Sequence, residues 1–372
     1  MIRIAASYVE DVRNAKSGTD LAPLLQAAVE LEHATIPPYL CAYFSLKNGS
    51  NAAVGEIIRS VVVEEMLHLT IASNLMIALG GKPALNSRSF VPDYPGGLPM
   101  GIGEHLQVHL RKCSTGQIGD VFMKIEEPEE PIRIPLAAAA EPAPVPDFAT
   151  IGAFYLALAD KIQELGDSAF TGTPEHQVVA STWFPDPEEM FAIMDVGTAV
   201  QGIQVIINQG EGTRTSPFDN EGAPAHYYRF EQIVNGRRLI PRPGSTPPYA
   251  YGGDRVELDM QNVWDMDEDP KVAKYKAGSL SRQRAEQFNY SYTGLLNSLH
   301  RTFNGHPGEL DHALGLMFEL RLLSQQVLST AAEWADPAVT EVKQTGLSFE
   351  YQALGARAGS SAAAGNGQRR DR

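Results

Sequence analysis

The chain has 372 residues, of which 43% are hydrophobic, and carries a net charge of −15. That length holds one large domain or two, and the apolar fraction supports a sizeable core. The acidic balance argues against nucleic acid and anionic membrane surfaces as partners. Cys41 and Cys113 lie far apart and form neither a disulfide framework nor a metal-ligand spacing, which points to a reducing compartment. The N-terminal Met1-Ile2-Arg3-Ile4-Ala5 lacks a long apolar stretch, and no run approaches the ~20 apolar residues of a membrane span. A cytoplasmic protein without membrane partners is the expectation.

In chain order, residues 20–47 read as a helix capped by Asp20, with Leu21, Leu25, Ala28, Glu32, Thr35 and Tyr39 on one side. Pro37 and Pro38 should kink or interrupt it. A second helix is predicted over 52–79, stopped by Gly80-Gly81 and Pro83. The short link 47–51 makes the two antiparallel neighbours, half of a four-helix bundle. Residues 84–147 read as a β-rich insertion, with alternation at 106–110 and 121–125 and an Ala/Pro-rich linker from Ala137 to Pro146. The acidic run 126–130 reads as a solvated turn. Helices are expected again at 148–165, 187–209, 223–235, 279–304 and 308–332, and disorder at 357–372. The domain reading is a bundle over 1–240, a C-terminal helical extension over 241–356 and the tail.

Glu65 and His68 carry the chemistry. Three residues apart, they share a helix face with Ile58, Val61, Ala72 and Leu75. Burying a carboxylate and an imidazole in an apolar seam is costly without a partner, and a metal ion is one. Most isolated Glu-x-x-His pairs are core hydrogen bonds, but Glu32 lies on the facing stripe of the preceding helix. One Glu plus Glu-x-x-His is half of a di-iron carboxylate site. Manganese and zinc suit related donor sets. Glu64 is the neighbouring alternative, on a face less aligned with the seam. For the second half, Met194, Gly197, Gln201, Gln204, Asn208 and Glu211 form a polar stripe expected to line the site, and His226 is a further nitrogen donor with Arg229 as its charge partner. His300, His312 and Glu319 are weaker candidates. No dinucleotide fingerprint, P-loop or Gly-x-Ser-x-Gly motif is present.

The blocks 31–40 (LEHATIPPYL), 64–69 (EEMLHL), 209–213 (QGEGT) and 226–230 (HYYRF) resemble, in order and spacing, a ferritin-like family that includes the iminophenylpyruvate dimer synthase domain of the violacein pathway. The resemblance covers roughly residues 20–235. It implies a mainly α, ferritin-like four-helix bundle with Glu32, Glu65, His68, Glu211 and His226 as metal ligands. An acidic residue is expected where Asn208 stands, so one or two iron ions are anticipated. The synthases are much longer chains with an additional region. The functional expectation is a non-haem iron, O2-using oxidase or oxygenase acting on a small amino-acid-derived imine or amine in natural-product biosynthesis. Arg229 would steady a substrate carboxylate or a ligand. The alternative is a ferritin-like metal-binding protein with no organic substrate. A homodimer is the assembly expected of a bundle with large insertions.

Overall fold

The Ser17 side chain opens the first long helix by accepting the backbone N–H of Asp20, while the Asp20 carboxylate accepts from Lys16 N. A computed structural model describes residues 5–101, 106–128, 132, 134, 151–180, 184–211 and 216–352. The predicted Ala/Pro linker and C-terminal tail lie outside the described residues. After a short α1 (Ala6–Asn14), absent from the sequence reading, come α2 (Gly18–Ser45) and α3 (Ala52–Ala78), packed closely against each other.

Pro37 and Pro38 do not interrupt α2, contrary to expectation. A proline at 38 deprives the Ala34 carbonyl of its helical donor. The Tyr94 hydroxyl donates to that carbonyl at 2.8 Å, so tertiary structure replaces the missing bond. α3 ends where Gly80 adopts φ +85°, with Gly81 N bonding back to Met76 O. An 18-residue window of α3 is long and apolar enough to cross a membrane, more so than the sequence reading allowed, but 83% of it is buried inside the protein. It is a core helix.

α4 (Ile151–Leu165), α5 (Val196–Glu211) and α6 (His226–Asn235) complete the bundle around α2 and α3. α6 runs through Gly236, at φ +67°, into the antiparallel hairpin of β1 (Arg237–Pro241) and β2 (Tyr249–Arg255), where Leu239 pairs with Tyr251. α7 (Leu280–Thr302) and α8 (Leu310–Leu328) pack on each other and on the outside of α2. There the Gln325 side chain donates to Phe44 O at 2.9 Å. The fold is mainly helical, with one two-stranded hairpin among the described residues.

One stretch of the 84–128 region differs from the sequence reading. The alternating stretch 121–125 is helical, built from turns Thr115–Gln117 and Met123–Ile125 around a π-helical segment Ile118–Phe122. Alternation lost because Phe122 is drawn into a ring cluster with Tyr39 and Phe230, at centroid distances of 4.5 and 5.3 Å. The 106–110 stretch stays extended and forms one bridge, Val108 to Gly96. Both cysteines are free and buried.

Candidate metal centre

Glu32, Thr35 and Tyr39 occupy successive turns of one face of α2 and meet Glu65 and His68 on the facing side of α3. Glu32, Glu65 and His68 are 5%, 3% and 2% exposed, and His226, at the start of α6, is fully buried. Two groups of ligand-type atoms, each within 4.8 Å of one another, result: Glu32, Glu65 and His68, and Glu65, Glu126 and His226. Glu65 belongs to both.

Each carboxylate has one oxygen held by a hydroxyl and the other turned to the centre. Tyr155 donates to Glu32 Oε1 at 2.5 Å, and Glu32 Oε2 lies 3.8 Å from His68 Nδ1. The Thr35 hydroxyl reaches Glu65 Oε2 and the Glu32 carbonyl, both at 2.9 Å, and Glu65 Oε1 lies 2.9 Å from His226 Nδ1. Tyr39 donates to Glu126 Oε1 at 2.5 Å, leaving Glu126 Oε2 3.4 Å from His226 Nδ1.

The imidazoles follow the same rule. Gln209 Nε2 donates to Glu189 Oε1 at 2.5 Å, which turns the amide oxygen toward His68 Nε2, 2.9 Å away. The proton therefore sits on Nε2, and Nδ1 presents its lone pair to Glu32 and Glu65. His226 Nε2 meets Glu64 Oε2 at 3.0 Å, and Glu64 Oε1 accepts from Arg229 at 2.5 Å. His226 Nδ1 has carboxylates close by but is in line with none, so it has no hydrogen bond.

Electrostatics without a cation are unfavourable. Burial, then repulsion from Glu65, raises the Glu32 carboxyl well above its usual range, and burial and Glu126 raise Glu65. Burial pushes His68 down to about 3. Burial also disfavours a charged His226, yet Glu126, Glu64 and Glu65 outweigh it and raise that group well above the ordinary histidine value. Glu64 is brought down to about 2, because His226 and Arg229 together overcome its burial. Four carboxylates thus face one guanidinium and two imidazoles. The surplus of inward oxygens and the unsatisfied His226 Nδ1 are what a buried divalent cation would satisfy, so the residues fit a metal site.

The structure therefore brings together Glu32, Glu65, His68 and His226 from the sequence-predicted set. Glu211 closes α5, but its side chain lies outside the described residues. The described members of the predicted polar stripe, Met194 to Asn208, do not line the centre. Met194, Gln201 and Gln204 are exposed, because Ile203 and Ile206 on the opposite side supply the buried face. Gln209 is the polar α5 side chain that, among the described residues, reaches the site. Glu64, on the face less aligned with the seam, meets His226, and Glu126 is a partly buried member of the centre rather than part of a solvated turn. Arg229 is committed to Glu64, to Ser60 at 3.2 Å and to the Pro224 carbonyl at 2.6 Å, so it acts through the Glu64–His226 pair. His300 lies instead against Leu85 N, 3.4 Å away. Glu126, Tyr155 and Gln209 escaped the sequence reading. Tyr155 lies in the predicted 148–165 helix among Phe154, Leu158 and Ile162, and Gln209 beside the stripe taken for the site; only Tyr39, in register with Glu32, gave a usable signal.

The fold and the centre define a helical bundle with a buried carboxylate–imidazole cluster of metal-holding composition. The ferritin-like family model matches residues 25–235, more than half the chain, and the protein belongs to that family. Members of the family are often di-iron proteins. Among solved structures, a ferritin-like protein from Caulobacter vibrioides superposes with a TM-score of 0.55 at 22% identity, covering 89% of this chain and 97% of that one. That likeness concerns the fold. No curated protein matches the chain significantly.

Proposed function

We propose that this protein is a non-haem iron oxidase or oxygenase with a two-ion centre held by Glu32, Glu65, His68, Glu126 and His226. The observation that carries this reading is the membership of Glu65 in both ligand groups, so that one carboxylate would help hold two ions. Glu211 stays a candidate ligand by resemblance. When bound, the iron would supply the electrons for reduction of O2.

The chain's own residues contribute position and dryness. Tyr155, Thr35 and Tyr39 fix the carboxylates, and Gln209 and Glu64 fix the ring nitrogens that face inward. Arg229 holds Glu64 and thereby orients His226. Ile125, Ile206 and Ile207 wall the centre from water. The substrate class we favour is a small amino-acid-derived imine or amine in natural-product biosynthesis, on the strength of the motif resemblance. The two buried free thiols support a cytoplasmic setting.

A second reading, metal binding without an organic substrate, draws support from the void beside the ligands. It measures about 50 Å³, room for water or O2 rather than for an aromatic acid. One experiment separates them. Reconstitute the full chain anaerobically with ferrous iron, determine metal per chain, then follow O2 uptake with and without α-imino acids generated from aromatic amino acids. Two ions and substrate-dependent O2 uptake support the enzyme. Two ions with O2 uptake driven by ferrous iron alone favour the second reading, and no iron at all defeats both.

A further inference from the structure

On the other side of the α2–α3 pair, away from the metal centre, α7 and α8 border a second, partly open cavity of about 210 Å³. Its wall is almost wholly apolar, with Ile36, Leu40, Met66, Leu296, Leu314 and Met317 among the lining side chains. No lining residue is shared with the void at the metal centre. A chamber of this size and character holds a small apolar body.

Two polar features break the pattern. His33 lines the chamber at 4% exposure, its Nε2 2.8 Å from the Tyr292 hydroxyl and its Nδ1 without a hydrogen-bond partner. Burial holds this ring at about 3, and so neutral. At the other end, Tyr43, Phe44, Arg59 and Arg321 line both the chamber and an adjoining cleft of about 330 Å³ at the α2–α3 turn. The cleft is polar, bordered by Lys47, Asn48, Ser50 and Asn51.

The charges there are uncompensated. Arg59 has no ion-pair or hydrogen-bond partner among the described residues. Arg321 donates to the Tyr43 hydroxyl at 2.7 Å and stacks on that ring, with no carboxylate partner among the described residues. Glu56, the acidic residue lining the cleft, is engaged by Arg238 at 2.7 Å. A guanidinium left free where an apolar chamber opens is suited to a planar anion attached to an apolar tail.

We propose that this chamber and cleft form a second binding site, for a single-chain amphiphile with a carboxylate head. The tail fills the space between α2–α3 and α7–α8, and the head lies between Arg59 and Arg321. The site is independent of the metal chemistry proposed above.

The test is calorimetric titration of the full chain with octanoate, decanoate, decyl phosphate and decyltrimethylammonium below their micelle concentrations. Decanoate should bind about fifteen-fold tighter than octanoate, roughly fourfold per methylene. The cationic amphiphile should bind at least about tenfold more weakly than decanoate. Arg59→Gln and Arg321→Gln should each cost about tenfold, with Arg59→Lys recovering part of the loss. Leu299→Trp, filling the chamber from a half-buried position, should abolish binding while metal content stays unchanged. Preference for decyl phosphate over decanoate would overturn the carboxylate assignment. Equal binding of all heads, indifference to both arginine variants, or no decanoate binding would overturn the site. If decanoate fails and Phe318→Ser converts a dimer to a monomer in sedimentation, the chamber is covered by a second copy and the proposal is wrong.

Discussion

Glu65 Oε1 stands 2.9 Å from His226 Nδ1, and this contact joins the α3 half of the centre to the α6 half. The other Glu65 oxygen is restrained by Thr35, so the carboxylate cannot swing out of that bridge without breaking a buried hydrogen bond.

Glu65→Ala should therefore empty both ion positions, whereas Glu32→Ala or Glu126→Ala should each leave one. Elemental analysis after ferrous reconstitution checks this. Wild-type metal content in Glu65→Ala would rule out the shared-ligand geometry.

Gln209 sets which nitrogen of His68 faces the centre. Gln209→Leu should remove that control and weaken metal binding by about 10- to 100-fold, while Gln209→Glu, which keeps an acceptor, should lose much less. Competition with a chromophoric chelator reads the difference. Equal losses in the two variants would show that tautomer control is not Gln209's role.

Arg229 neutralises a largely buried Glu64. Arg229→Met should destabilise the fold by about 2 kcal/mol, because it leaves Glu64 with His226 as its remaining cationic partner. Adding Glu64→Gln should recover part of the loss, and urea unfolding of the two variants measures it. A double variant less stable than Arg229→Met would show that Glu64 does not need the guanidinium.

Glu189 makes a pH prediction. Burial, with Glu221 and Glu64 adding repulsion, raises its folded-state value to about 7 from 4.5. The folded protein thus holds a proton that the unfolded chain releases. Stability contributed by that proton is intact below 4.5, falls as pH rises, and is gone above 7. Glu189→Gln should accordingly raise Tm relative to wild type at pH 8 and change the difference little at pH 4. The group is half-buried, so the shift will be modest. A larger gain at low pH would reverse the sign and exclude this account.

Much of this protein is legible in its sequence because helices carry local signals. The 3.6-residue recurrence along α2 and α3, the Gly80-Gly81 stop and the i, i+3 pairing of Glu65 with His68 all depend on near neighbours. The same periodicity put Glu32 opposite that pair. The C-terminal helices were readable within a few residues for the same reason.

What failed locally failed because distant contacts decided it. Pro37 and Pro38 stay in a helix since Tyr94 caps the orphaned Ala34 carbonyl. Glu126 belongs to the centre since a π-helical turn and the Tyr39 hydroxyl bring it there. Gln201 and Gln204 of the predicted α5 stripe face solvent since the bundle core takes Ile203 and Ile206.

The long helices, the α2–α3 pairing and the placing of Glu32, Glu65 and His68 could be read from the chain, because spacing along a helix is spacing on a face. Which carboxylates surround His226, and which donors hold them, emerged with the packing. Those contacts join residues from separate helices and loops, and no periodicity along one segment records what another segment will bring against it.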